Sequence, residues 1–244
     1  MGTSSSFKGK VGNALLEDNI IEDEINKKSK KINWTTVKTA MSKYISSSGK
    51  VGTPKSIVKN YINAFGNKDR FMHNFYKRQN ATFKMGNIFL GFTTRGILKT
   101  LSDLGISLQN ISLNEAMSRL VNYVEESAVS KDDIAIRIAT ANTLNKLIQL
   151  QINVDIIDSA TGIVLMEYFF TELIWQQMLI DLGYSFEKYA TDNNKLIKIE
   201  KDMKEFIKAT VEVAFEMNKE YIFSKEMFDK VIKSCVQMWE EYKK

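Results

Sequence analysis

Residues 162–183 read GIVLMEYFFTELIWQQMLIDLG, and the fold turns on whether this stretch crosses a membrane or fills a core. Its length suits a bilayer span of about 20 residues. Glu167, Glu172, Gln176, Gln177 and Asp181 lie inside it, and a carboxylate at a bilayer centre costs roughly 2.5–3.5 kcal/mol on insertion scales. The stretch therefore reads as the buried central helix of a bundle, over 159–182, and no membrane association is expected.

The flanking sequence supplies the partners such a helix needs. Upstream, Ser130-Lys-Asp-Asp133 is a capping signal for a helix over 131–150, with Ile134, Ile138, Ala141, Leu144, Leu147 and Ile148 directed inward. Ser112-Leu-Asn-Glu115 opens another. Downstream, Leu196, Ile199, Met203, Phe206, Thr210, Val213 and Met217 alternate spacings of three and four. That is a heptad seam in which only Thr210 is out of type. A last helix from about 224 turns Phe228, Val231, Ile232, Cys235, Met238 and Trp239 to its apolar side.

Toward the N-terminus a helix begins near Trp34 with Val37, Met41, Tyr44 and Ile45 on one face, and ends at the small-residue linker SSSGKVG, 46–52. Thr53-Pro54, an N-cap followed by proline at the first helical position, opens the next, with Ile57, Val58, Tyr61, Ile62 and Phe65 apolar. Pro54 is the sole proline of 244 residues, so long runs lack a helix breaker. The expectation is an all-α multi-helix bundle with a flexible N-terminal arm: a tail at 1–33, a basic helical segment at 34–110 and a C-terminal bundle at 111–244.

Composition excludes several kinds of chemistry. One cysteine, Cys235, and one histidine, His73, rule out an internal disulfide and cannot make a four-ligand zinc site from Cys and His. The count fits a reducing cytoplasm, and no secretory signal is visible. Gly49-Lys50 lacks the hydroxyl residue and the upstream glycine of a phosphate loop, since Val51 follows. No catalytic residues and no bound cofactor are expected.

Positive charge is uneven: Lys and Arg against Asp and Glu number 6 to 5 in 1–33, 12 to 2 in 34–110 and 16 to 22 in 111–244. Within the basic segment, residues 68–84 read KDRFMHNFYKRQNATFK. Lys68, Arg70, Lys77, Arg78 and Lys84, interleaved with Phe71, Phe75, Tyr76 and Phe83, could offer phosphate contacts and base-stacking faces. Phe71 and Phe75 at helical spacing serve equally well as core residues. A nucleic-acid-binding module over 55–99 is thus the alternative reading.

The opening MGTSSSF holds Gly2 and a row of hydroxyl residues. It satisfies an N-myristoylation pattern, but one acyl chain with only Lys8 and Lys10 nearby anchors weakly. With the glycine-containing continuation at 9–12, the basic helix before SSSGKVG and the helical C-terminal half, this opening resembles the QatB family of the Qat anti-phage defence system. The resemblance implies an operon partnered by an ATPase (QatA), a QueC-like enzyme (QatC) and a TatD-like nuclease (QatD). QueC-type enzymes use ATP to activate the carboxylate of a deazaguanine and join it to ammonia.

Removal of Met1 would expose the Gly2 α-amine, whose ordinary pKa of about 7.7–8.0 leaves part of it nucleophilic near neutrality. Glycine has no β-carbon to obstruct a narrow active site, and Thr3, Ser4, Ser5 and Ser6, with Phe7, provide groups for a partner enzyme to grip. A 12-residue tail stretches to about 40 Å at ~3.3–3.6 Å per residue. The expectation is that Gly2 accepts a covalent deazaguanine while the helices dock partner proteins.

Overall fold

Asp158 accepts the Thr161 N–H and starts the central helix, which runs Ser159–Asp181. The computed structural model describes residues 34–107, 111–150, 156–188 and 192–241. The tail, including Gly2 to Phe7, lies outside them. In chain order the helices are α1 (Trp34–Ser46), α2 (Pro54–Ala64), α3 (Lys68–Phe75), α4 (Gln79–Thr94), α5 (Ile97–Asp103), α6 (Leu113–Val124), α7 (Lys131–Gln149), α8 (Ser159–Asp181), α9 (Gly183–Glu187), α10 (Asn193–Met217) and α11 (Met227–Glu241). Strands are absent among the described residues, so the fold is all-α.

The caps foreseen at Thr53, Ser112 and Ser130 each accept the backbone N–H three residues on, and Thr53 and Ser130 complete reciprocal capping boxes with Ser56 and Asp133. α8 is long and apolar enough to cross a membrane by length and composition. It is instead the core: residues 169–178 are buried at every position, enclosed by α7, α10 and α4. α11 closes the bundle against α2, α4 and α10.

A chain of rings carries the core from α1 to α11. Trp34 meets Phe65 at 5.2 Å, Phe65 meets Phe71 at 5.3 Å, and Phe71 stacks on Phe75 at 5.1 Å. From there Phe75 reaches Phe228 at 6.3 Å, Phe228 reaches Phe170 at 6.2 Å, and Phe170 reaches Phe215 at 5.3 Å. Side chains from 34–110 and from 111–244 thus share one hydrophobic cluster.

Two helices turn different faces inward than their sequence patterns suggest. On α7, Ile134 and Ile138 stand 38% and 37% exposed, while Ala135, Ala139, Thr140 and Thr143 join Leu144 and Leu147 inside. α8 already contributes bulk through Phe169, Phe170 and Trp175, so its neighbour approaches with small side chains. The buried hydroxyls cost little, because Thr140 and Thr143 donate to the Ile136 and Ala139 carbonyls. On α10, Val213 is 49% and Met217 65% exposed, and Ile207, Val211, Ala214 and Phe215 take their places. A straight helix of 3.6 residues per turn drifts about 20° per heptad. The heptad seam therefore leaves the core after Thr210, about four turns from Leu196.

Candidate functional site

The basic-aromatic segment separates into parts with different fates. Phe71 and Phe75 are buried rungs of the ring ladder, so no base can stack on them. Arg78 is wholly buried. Its Nη2 donates to Asp132 Oδ1 at 2.6 Å, its Nη1 donates to the Asn74 carbonyl at 3.0 Å, and its guanidinium lies 4.4 Å from the Phe75 ring centroid. Burial lowers its pKa and Asp132 works against that. Arg78 cannot reach an external phosphate, which corrects its candidacy as a nucleic-acid contact. The physical reason is that a guanidinium can be internalised once a carboxylate and a carbonyl take its two terminal nitrogens, here with Nε left unpartnered.

Lys84 has also found internal partners. Its ammonium donates to the Tyr123 and Val124 carbonyls at 2.9 and 3.2 Å, capping the C-terminus of α6 where cations are favoured. Lys68 and Lys77 are exposed and Arg70 half-buried, and Lys77 lies 4.0 Å from Asp132. The five cations are therefore not gathered on one open face.

A cleft of about 660 Å³ lies between α3 and α11. Met72, Tyr76 and Val236 line it together with Lys68, His73 and Lys233. The single histidine thus sits on an exposed wall of the cleft. Cys235 is buried on α11, and burial pushes its thiol pKa up, so it remains protonated. Among the described residues there is no group of His, Cys, Asp and Glu able to hold a metal ion.

Polar groups are concentrated inside the bundle, where periodicity did not locate them. Glu172, in mid-α8 and 1% exposed, accepts from Asn142 Nδ2 at 2.7 Å and Gln176 Nε2 at 3.1 Å. Its other oxygen meets Lys204 Nζ at 2.7 Å, and Lys204 also pairs with Glu200 at 2.9 Å. Burial opposes the Lys204 charge, but the two carboxylates prevail and its pKa is raised. Near the end of α8, Tyr61 donates to Asp181 Oδ2 at 2.7 Å and Gln177 Nε2 donates to the same oxygen at 3.0 Å. Burial, then the Asp181 charge, pushes the Tyr61 phenol well above its ordinary pKa. The signal available in sequence was the set of carboxylates and amides inside the apolar run.

This helical body is what comparison with known families detects. The family described as “Qat anti-phage system associated protein QatB” matches residues 66–238, well over half of the 244-residue chain. The chain belongs to the QatB family. QatB membership implies a role in the Qat anti-phage system, a system of several components. The match begins at Gly66, between α2 and α3, and ends at Met238 in α11. The ring ladder from Phe71 to Phe228, the Arg78–Asp132 pair and the Glu172 cluster all fall within the QatB match, and the opening residues fall outside it. No curated protein and no solved structure matches the chain.

Proposed function

We propose that this QatB-family chain is a non-enzymatic subunit of a Qat defence assembly whose Gly2 α-amine is acylated by a deazapurine carboxylate activated by the QueC-like partner, QatC. The observation that carries the reading is the conjunction, in one chain, of a QatB-type helical body and an opening Gly2–Thr3–Ser4–Ser5–Ser6–Phe7. The amine nitrogen attacks the activated carbonyl, an amide forms, the activating group leaves and the nitrogen loses a proton. Gly2 thereby stands where ammonia stands in QueC-type chemistry. The helical body docks partner proteins, with QatA and QatC foremost and QatD a further component.

The test is intact mass spectrometry of the chain co-expressed with QatC. The expected result is a deazapurine adduct on the N-terminal peptide, absent from an N-terminally extended form and reduced in Gly2→Ala. In vitro, the rate should rise as pH passes through about 7.7–8.0, where the α-amine loses its proton. An unmodified Gly2 amine with active QatC, ATP and the deazapurine present would sink the proposal.

A further inference from the structure

α8 presents a problem of specification that its own apolar surface cannot solve. Residues 169–178 are buried without interruption, six of the ten being apolar, so the helix has no solvent face there to set its rotation. Its most extensive neighbour, α7, buries the small side chains Ala135, Ala139, Thr140 and Thr143 beside Ile136, Leu144 and Leu147, so much of its inner face is small and adds little to fix an axial position. Hydrophobic burial is non-directional. Apolar contacts alone therefore discriminate weakly between this placement of α8 and one rotated part-way about its axis or slid by one turn.

We infer that Glu172, bound at once by Asn142 of α7 and Lys204 of α10, is the register pin of the bundle, selecting one rotation and one axial position of α8 between its two long neighbours. The carboxylate is satisfied in only one arrangement. Asn142 reaches Oε2, Lys204 reaches Oε1, and Gln176 from the next turn and the Tyr168 hydroxyl from the turn before add to the set. Any slide or rotation would leave a buried charge without partners, which is strongly unfavourable. The pin thus acts chiefly against alternative packings, and its net contribution to stability is secondary, as with single polar residues that set register in coiled coils. Thr171, the adjacent buried polar residue, has no such role, because its hydroxyl donates within α8 to the Glu167 carbonyl.

The test replaces the polar set by apolar residues of similar size: Glu172→Leu, Asn142→Leu, Gln176→Leu and Lys204→Met together, in the full chain. The expected result is a urea midpoint at or above the parent's, with loss of the dispersed amide spectrum, loss of nuclear Overhauser contacts between the Phe170 and Phe215 rings, and binding of a hydrophobic dye. Thr171→Val should keep all three native. Retention of a single dispersed spectrum with the Phe170–Phe215 contacts in the fourfold variant would overturn the inference. Outright unfolding of that variant would do so too, as would equal scrambling by Thr171→Val.

Discussion

At the scale of single residues, Arg78 shows how far an environment can redirect a side chain. In sequence it belongs to a basic run, and in the fold it is an internal cation whose charge Asp132 neutralises. Asp132→Asn would leave the guanidinium buried and uncompensated, and we expect a loss of about 3–5 kcal/mol in urea unfolding. Thr210, the one residue out of type in the seam, has a similar explanation, since its hydroxyl accepts the Trp239 indole N–H at 3.1 Å and donates to the Phe206 carbonyl. Thr210→Val keeps the shape and removes the acceptor. It should cost ~1–3 kcal/mol, the penalty of a buried unpaired donor.

Asp133 supplies a pH dependence at the same scale. Hydrogen bonds from the Ser127 hydroxyl and from Ser130 hold its carboxyl at about 2, below the unfolded value of about 3.9. A folded pKa below the unfolded one means stability present above about 4 and lost as pH falls toward 2. Asp133→Asn should flatten this acid limb in melting temperatures recorded between those values. A carboxyl titration by NMR with an ordinary midpoint would contradict the assignment.

At the scale of elements, glycines mark where helices meet most closely. A Cβ on Gly91 would stand 2.6 Å from Thr100 Cγ2, and Thr100 cannot retreat, being buried and bonded to the Gly96 carbonyl. Gly91→Ala should therefore destabilise the chain by ~1–3 kcal/mol through overpacking of the α4–α5 corner. Gly183, at the start of α9, has nothing within 4 Å of its would-be Cβ. The same substitution there should be neutral or stabilising by up to about 1 kcal/mol. Thermal melts of the two variants, side by side, check both signs.

Element positions were largely legible from sequence because caps are local. Thr53, Ser112 and Ser130 each start a helix by accepting an N–H three residues on, and that chemistry needs no distant partner. Facing was less legible. Ile134 and Val213 look like core residues and stand in solvent, because which side of α7 or α10 is buried depends on the bulk and twist of α8. The internal polar pairs were not legible as pairs, since Arg78 and Asp132, or Glu172 and Lys204, are joined only by tertiary packing.

At the scale of the whole molecule, one ring ladder and one hydrophobic cluster span the basic segment and the C-terminal segment. The described residues from Trp34 onward cluster as one unit. Unfolding should accordingly be a single transition, with helicity followed by circular dichroism and the fluorescence of Trp34, Trp175 and Trp239 falling together in urea. Two separable transitions, one dominated by α1 to α5, would show independent folding of the basic segment.

The sequence by itself determined the all-α class, the helix starts and the burial of α8, because proline scarcity, cap residues and carboxylates inside an apolar run act through local chemistry and solvation. Only the tertiary structure decided which faces of α7 and α10 are covered, that Arg78 is an inward cation, and where Glu172 finds its partners. Those outcomes depend on groups brought together across dozens of residues, and helical periodicity carries no information about what stands opposite a helix.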